Sequence, residues 1–275
     1  MRTIKIVLII VLILVTALFA VTGIREMRSN ERFGPTLTCD SDLLEVSVTA
    51  TDADLLAGVT AWDDQDGDLT DKIYIQGISK LVDTDTTRIT YIVFDRHGNM
   101  AGASRLLHYT DYESPRFYVT EPLQYMDGAA IALMDRICIM DALEGDITHM
   151  VRVSALNSTA EPEIFNVDLR ATNALGDTAR ITLPVVIYSG SSGRPEIRLR
   201  EYLIYQEVGS SFVPERYIQE VTAQNEEFTP EDVEINGWVN TAVPGVYTVT
   251  YRCTGQLGVG IAVLTVVVEE GGSHE

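Results

Sequence analysis

A template written three times constrains this chain more than any other feature: a polar turn, then a strand-like run that ends in a glycine about 30 residues on. The first copy reads Asp66-Gly67-Asp68-Leu69-Thr70 and reaches Asp95-Arg96-His97-Gly98-Asn99. The second reads Glu144-Gly145-Asp146-Ile147-Thr148 and reaches Thr172-Asn173-Ala174-Leu175-Gly176-Asp177. The third, Asn225-Glu226-Glu227-Phe228-Thr229, leads to Thr254-Gly255-Gln256-Leu257-Gly258. Asp68 stands 30 residues before Gly98, Asp146 30 before Gly176, and Glu227 31 before Gly258. The copies recur after 78 and 81 residues, which is the size of a small domain and too long for a solenoid unit. The acids thin from Asp-Gly-Asp to Glu-Gly-Asp to Glu-Glu while the spacing to glycine persists. On this reading the strand framework is held fixed and the charge is not.

The runs around each template are strand-like. Leu44-Glu45-Val46-Ser47-Val48 alternates with period two, and Arg88-Ile89-Thr90-Tyr91-Ile92-Val93-Phe94 is rich in β-branched and aromatic residues. Residues 104–109 read as the returning strand of a hairpin whose turn holds Gly98. Residues 164–170 with 179–187, and 246–251 with 261–268, repeat the pairing. Short strands at regular spacing, with no long amphipathic helix, predict β-sandwiches. Pro184 falls inside one of these runs and predicts an edge or a bulge. Ser189-Gly190-Ser191-Ser192-Gly193-Arg194-Pro195 has the composition of a flexible joint.

Charge narrows the partners. Beyond residue 32 the chain holds 15 basic against 38 acidic residues. So acidic a surface does not track a phosphate backbone, and nucleic acid is not expected as a partner. Each copy contains one cysteine, Cys39, Cys138 or Cys253, at a different point of the template, so no copy can close its own disulfide. No paired-cysteine zinc motif occurs, and the cysteines read as small apolar packing residues.

Ile6 to Ile24 is 19 residues without a charge. As a helix it would extend about 28 Å, close to the roughly 30 Å hydrocarbon core of a bilayer. It exceeds the usual apolar stretch of a cleaved signal peptide, and no Ala-x-Ala site closes it. It therefore reads as an uncleaved anchor, with the membrane as a partner. Arg2 and Lys5 face Arg25, Arg28 and Arg32 across it, but long downstream domains translocate largely regardless of charge. The expectation is a single-pass cell-membrane protein with its modules on the extracytoplasmic side.

At Gly58-Val59-Thr60-Ala61-Trp62-Asp63, Asp66-Gly67-Asp68-Leu69-Thr70, Ile89-Thr90-Tyr91 and Phe94-Asp95 with Gly98-Asn99, the chain resembles bacterial immunoglobulin-like domains of surface and pesticidal crystal proteins, which are related to hyalin repeats. The resemblance is fullest over about residues 38–111. The second copy keeps Gly145-Asp146-Ile147-Thr148, and the third keeps Pro244-Gly245-Val246-Tyr247-Thr248-Val249-Thr250-Tyr251. The resemblance implies three tandem Ig-like β-sandwiches, so that with the helix read from Ile6 to Ile24 the expected chain is all-β behind one transmembrane helix. The expected order is a tail (1–5), an anchor (6–24), a stalk (25–37), domains at 38–113 and 114–189, a linker (190–195), a third domain at 196–270 and a tail (271–275). Such modules serve as spacers and as adhesive or protein-interaction units, and no enzyme activity or cofactor is implied.

Two chemistries remain open beside that reading. Asp63-Asp64-Gln65-Asp66-Gly67-Asp68 fails the EF-hand pattern, because Trp62 and Ile73 would fall at its first and twelfth positions. A calcium site of another kind would draw on Asp64, Asp66, Asp68 and Asp95; the competing reading has these acids bonding backbone amides in tight turns. Trp62 and Trp238 could stack on a glycan, but Trp62 lies in a core-forming strand motif and is expected to be buried. No nucleophile elbow, P-loop or zinc-protease motif occurs.

Overall fold

A computed structural model of the chain describes residues 12–22, 34–189 and 193–271. The chain divides into two compact units, Met1–Thr110 and Asp111–Glu275, and beyond a helix over residues 12–22 it is all-β apart from short helical turns. Among the described residues no helix is long and apolar enough to cross a membrane. The rest of the expected 6–24 anchor, the 1–5 tail, most of the 25–37 stalk, the joint at 190–192 and residues 272–275 lie outside the described residues.

In the first unit β1 (Thr36–Cys39), β3 (Val59–Asp63) and β4 (Gly67–Asp68) form one sheet. The other holds β2 (Leu43–Val46), β5 (Tyr74–Ile78), β6 (Thr86–Phe94) and β7 (Met100–Tyr109), in the order β2-β7-β6-β5. In β3 the period-two rule sends Val59, Ala61 and Asp63 inward and Thr60 and Trp62 outward. Trp62 is therefore 58% exposed, against the expectation of burial: the small residues beside it, not the indole, hold the core positions.

Arg105, on the inner face of β7, is only 2% exposed. Its Nε donates to Tyr91 Oη at 3.0 Å, Nη2 to the Ala57 carbonyl at 2.5 Å, and Nη1 lies 3.4 Å from Asp40 Oδ1. A short helix over Asp52–Leu55, capped by Thr51, brings in the Leu55 carbonyl that accepts the Tyr91 hydroxyl at 2.7 Å. The buried guanidinium is thus hydrogen-bonded and paired, as a buried charge must be.

The second unit begins with β8 (Arg116–Val119), β10 (Ile137–Asp141) and β11 (Gly145–Asp146) in one sheet. Facing them are β9 (Gln124–Met126), β12 (Arg152–Ser158), β13 (Ile164–Thr172) and β14 (Thr178–Tyr188), in the order β12-β13-β14-β9. Pro184 sits opposite Asn166 of β13, while β9 covers β14 only from Val186 to Tyr188. It borders an uncovered edge, as its missing N–H demands. The same unit continues with β15 (Glu196–Leu199) paired to β17 (Ile218–Thr222). A last sheet holds β16 (Leu203–Glu207), β18 (Glu234–Asn236), β19 (Gly245–Gly255) and β20 (Gly258–Glu269), in the order β16-β20-β19-β18. Three pairings are parallel, β2 with β7, β9 with β14 and β16 with β20; in each the entering chain crosses from one sheet to the other before joining the last strand.

Each half of the second unit has its own core, one around Phe117, Ile139, Leu169 and Leu183, the other around Ile197, Tyr251 and Leu264. A third cluster joins them: Ile164, Val186 and Tyr188 from β13 and β14 pack on Ile261 and Val263 of β20. Tyr188 Oη donates to the Ile261 carbonyl at 2.7 Å and accepts the Ile261 N–H at 2.8 Å. Tyr205 Oη does the same with the Phe117 carbonyl and N–H, at 3.1 and 3.2 Å. Arg116 pairs with Glu269 at 2.7 Å, and Arg252 with Glu161. A Cβ on Gly260 would stand 2.0 Å from the Pro195 carbonyl oxygen, so the chain entering β15 lies directly on β20. Glycine and serine at 189–193 suggest a loose joint, yet the strands on either side are locked by apolar contact and paired hydrogen bonds.

Candidate functional site

The acids of the repeated turn are occupied by backbone. Asp63, 4% exposed, accepts the N–H groups of Gln65 and Asp66 on Oδ1, both at 2.8 Å. Asp68 Oδ1 accepts Thr70 N–H at 2.9 Å, and bonding to Thr70 holds its carboxyl below the usual carboxylate range. Asp95 Oδ1 accepts from His97 and Asn99, each at 2.8 Å, and Oδ2 from Asn99 Nδ2 at 2.7 Å. Desolvation is the largest single influence on the Asp95 pKa and would raise it, but the bonds to Asn99 and His97 together outweigh it and the net shift is downward. Gly67, at φ +75°, supplies the left-handed step between Asp66 and Asp68. Asp64 is exposed, with no hydrogen bond or ion pair among the described residues. No group of three or more His, Cys, Asp or Glu among the described residues is placed to hold a metal ion.

The second copy reproduces this arrangement. Asp141 accepts from Leu143 and Glu144 at 2.9 Å, Asp146 from Thr148 at 2.8 Å, and Gly145 has φ +72°. The closing contact recurs in all three copies. Asp66 Oδ2 accepts Arg96 N–H at 2.8 Å, Glu144 Oε1 accepts Ala174 N–H at 2.6 Å, and Glu226 Oε1 accepts Gln256 N–H at 3.0 Å. In every copy the acid and the amide are 30 residues apart. This corrects the reading that charge is expendable: one carboxylate persists because it clasps the tip of the long hairpin. Aligning the copies on their last acid hid the match, since the third copy uses Glu226 and not Glu227.

Other candidate surfaces lie apart from that turn. Trp238 is 74% exposed and, like Trp62, is open to a flat ligand. In the second unit a groove of about 750 Å³ is lined by Tyr118, Arg136, Arg198 and Tyr202 among others. Its cations are engaged: Arg136 donates to the Pro122 and Gln124 carbonyls, and Arg198 pairs with Glu220 at 2.9 Å. A smaller groove of about 390 Å³ runs over the outer face of β13 and β14 beneath Val246. The three cysteines are free thiols, Cys253 buried and Cys39 and Cys138 half-buried, in keeping with a packing role.

No curated protein sequence matches the chain. Solved structures that match the chain include the M60 catalytic domain with CBM51 domains of Clostridium perfringens ZmpB (12% identity, 86% of this chain, 31% of that one, TM-score 0.25). Others are the Bacteroides thetaiotaomicron lipoprotein BT2262 (12%, 84% and 99%, TM-score 0.21) and the human desmocollin-1 ectodomain (16%, 88% and 60%, TM-score 0.22). The chain spans 31%, 42% and 49% of the first three such structures, and at these TM-scores the likenesses carry no argument about function. The family profile described as bacterial surface protein, Ig-like domain matches residues 201–265, so the match falls within the third copy, the one with the worn turn.

Proposed function

We propose that this chain is a membrane-anchored extracytoplasmic protein whose three Ig-like modules, 38–113, 114–189 and 196–270, act as a spacer or as an adhesion element, without catalysis. The observation that carries the reading is the match of residues 201–265 to a bacterial surface-protein domain. The uncharged run from Ile6 to Ile24 supports the anchor, and the locked second unit suits a part that must hold a distance. The test is protease shaving of intact spheroplasts that express the full chain, with alkaline extraction of their membranes. Expected are loss of the modules while a cytoplasmic marker survives, and retention of the chain in the membrane pellet. Protected modules, or release at alkaline pH, overturn the proposal.

A glycan-binding role is favoured by a separate observation, the exposure of Trp238 and Trp62. Binding on a glycan array that Trp238→Ala or Trp62→Ala abolishes, with the fold retained, is the expected result. An unchanged array profile removes this reading.

A further inference from the structure

Beyond residue 32 the chain has only 15 basic residues, and three of them stand in one cross-strand row. Arg152 of β12 is opposite Arg170 of β13, which is opposite Arg180 of β14. All three are exposed. Like charges directly opposite on neighbouring strands destabilise a sheet, and in a chain with 40 acids a neutralising partner would be easy to supply. None is supplied. Arg152 donates only to the His149 and Val151 carbonyls, and Arg170 and Arg180 have no hydrogen bond or ion pair among the described residues. Asp168, two residues from Arg170, accepts Asn157 Nδ2 at 3.1 Å on one oxygen and Thr182 Oγ1 at 2.7 Å on the other. The nearest carboxylate on that strand is thus held by neutral donors.

The row lies at a groove of about 390 Å³ whose lining includes Ser154, Asp168, Arg170, Arg180 and Thr182, with Val246 of β19 as a wall. Adjacent strands are roughly 4.8 Å apart, so the three guanidinium stems span about 10 Å. Guanidinium groups are matched to carboxylates in paired hydrogen bonds. The floor also holds an acceptor, Asp168, and two hydroxyls. A uniformly acidic peptide would bring Asp168 only backbone N–H donors and no hydroxyl. A sugar acid brings both a carboxylate for the arginines and hydroxyl donors for Asp168.

We propose that the outer face of β12, β13 and β14 binds an anionic polysaccharide of the uronate type, with Arg170 and Arg180 holding its carboxylates and Asp168 a ring hydroxyl. The test is calorimetric titration of the purified full chain in detergent with oligogalacturonate, at two salt concentrations and beside poly-glutamate and neutral dextran. Because it uses purified protein, it stands or falls apart from where the chain resides. Expected is binding to oligogalacturonate alone, weakened by added salt, reduced at least tenfold in R170Q/R180Q and unchanged in Arg88→Gln of the first unit. The double variant is expected to melt no lower than the parent, since it relieves a repulsion, so lost binding would not reflect lost folding. No binding at millimolar oligomer, equal binding by the double variant, equal loss in Arg88→Gln, or equal or tighter binding of poly-glutamate each overturns the assignment.

Discussion

Replacing the clasping acids by alanine, Asp66→Ala, Glu144→Ala and Glu226→Ala one at a time, separates a structural role for the repeated turn from a metal-binding one. Asp66 makes two contacts, to Arg96 N–H at 2.8 Å and to Arg96 Nε at 3.0 Å, and its side chain is 7% exposed. A hydrogen bond to a charged acceptor is worth about 1.5–3 kcal/mol. The ion pair adds little, because the Arg96 side chain is 62% exposed and solvent screens it. The loss at Asp66 is therefore about 2 kcal/mol. Glu144, with one contact of 2.6 Å, should lose about 1–2 kcal/mol, and Glu226, whose oxygens lie 3.0 and 3.3 Å from one amide, about 1 kcal/mol. The suitable assay is residue-resolved hydrogen exchange on the full chain in detergent, since a protein of two units does not melt as a single transition. At 1.4 kcal/mol per decade, the Arg96 amide should exchange about tenfold or more faster in Asp66→Ala, with smaller accelerations at Ala174 and Gln256 in their own variants. Unchanged exchange would refute the clasp. So would millimolar calcium that slows exchange in the parent and not in Asp66→Ala, because the acid would then be serving a metal.

Gly260→Ala should destabilise the second unit by about 1–3 kcal/mol, because its Cβ would meet the Pro195 backbone 2.0 Å away; chemical denaturation followed by tyrosine fluorescence checks this, and a neutral result would mean the entering chain is free to move. Alkaline pH should loosen the same unit: burial raises the pKa of Tyr188, and of Tyr205 to about 12. Folding favours the neutral phenol, so this stability is full below about pH 10 and falls as pH rises toward 12, by about 2–3 kcal/mol for Tyr205. Denaturation midpoints at pH 8, 10 and 11.5 should decline over that window and decline less in Tyr205→Phe; a flat profile would refute the assignment.

The strands were legible where one face is buried and the chain alternates. The run expected at 88–94 lies within Thr86–Phe94, that at 179–187 within Thr178–Tyr188, and that at 261–268 within Gly258–Glu269. Trp62 was misread because its motif identifies a strand without saying which parity faces the core; Val59 and Ala61 decide that. The locked second unit was illegible for another reason. Ile164, Val186, Ile261 and Val263 lie on outward faces of their sheets, and sequence does not say that two outward faces meet. The clasp could have been found by asking which acid keeps a constant distance to the hairpin tip, since its 30-residue interval is visible once Glu226 is chosen over Glu227.

The parallel pairing of an entering strand with the last strand has a mechanical consequence. Tension applied along the chain pulls β2 against β7, β9 against β14 and β16 against β20 lengthwise, so the hydrogen bonds of each pair are strained together in shear and are not peeled apart singly. The paired stretches hold four, three and five residue partners respectively. Under a rising load the β9–β14 pair is the first to yield and β16–β20 the last, unless the seam between the two halves of the second unit reinforces the weaker clamp.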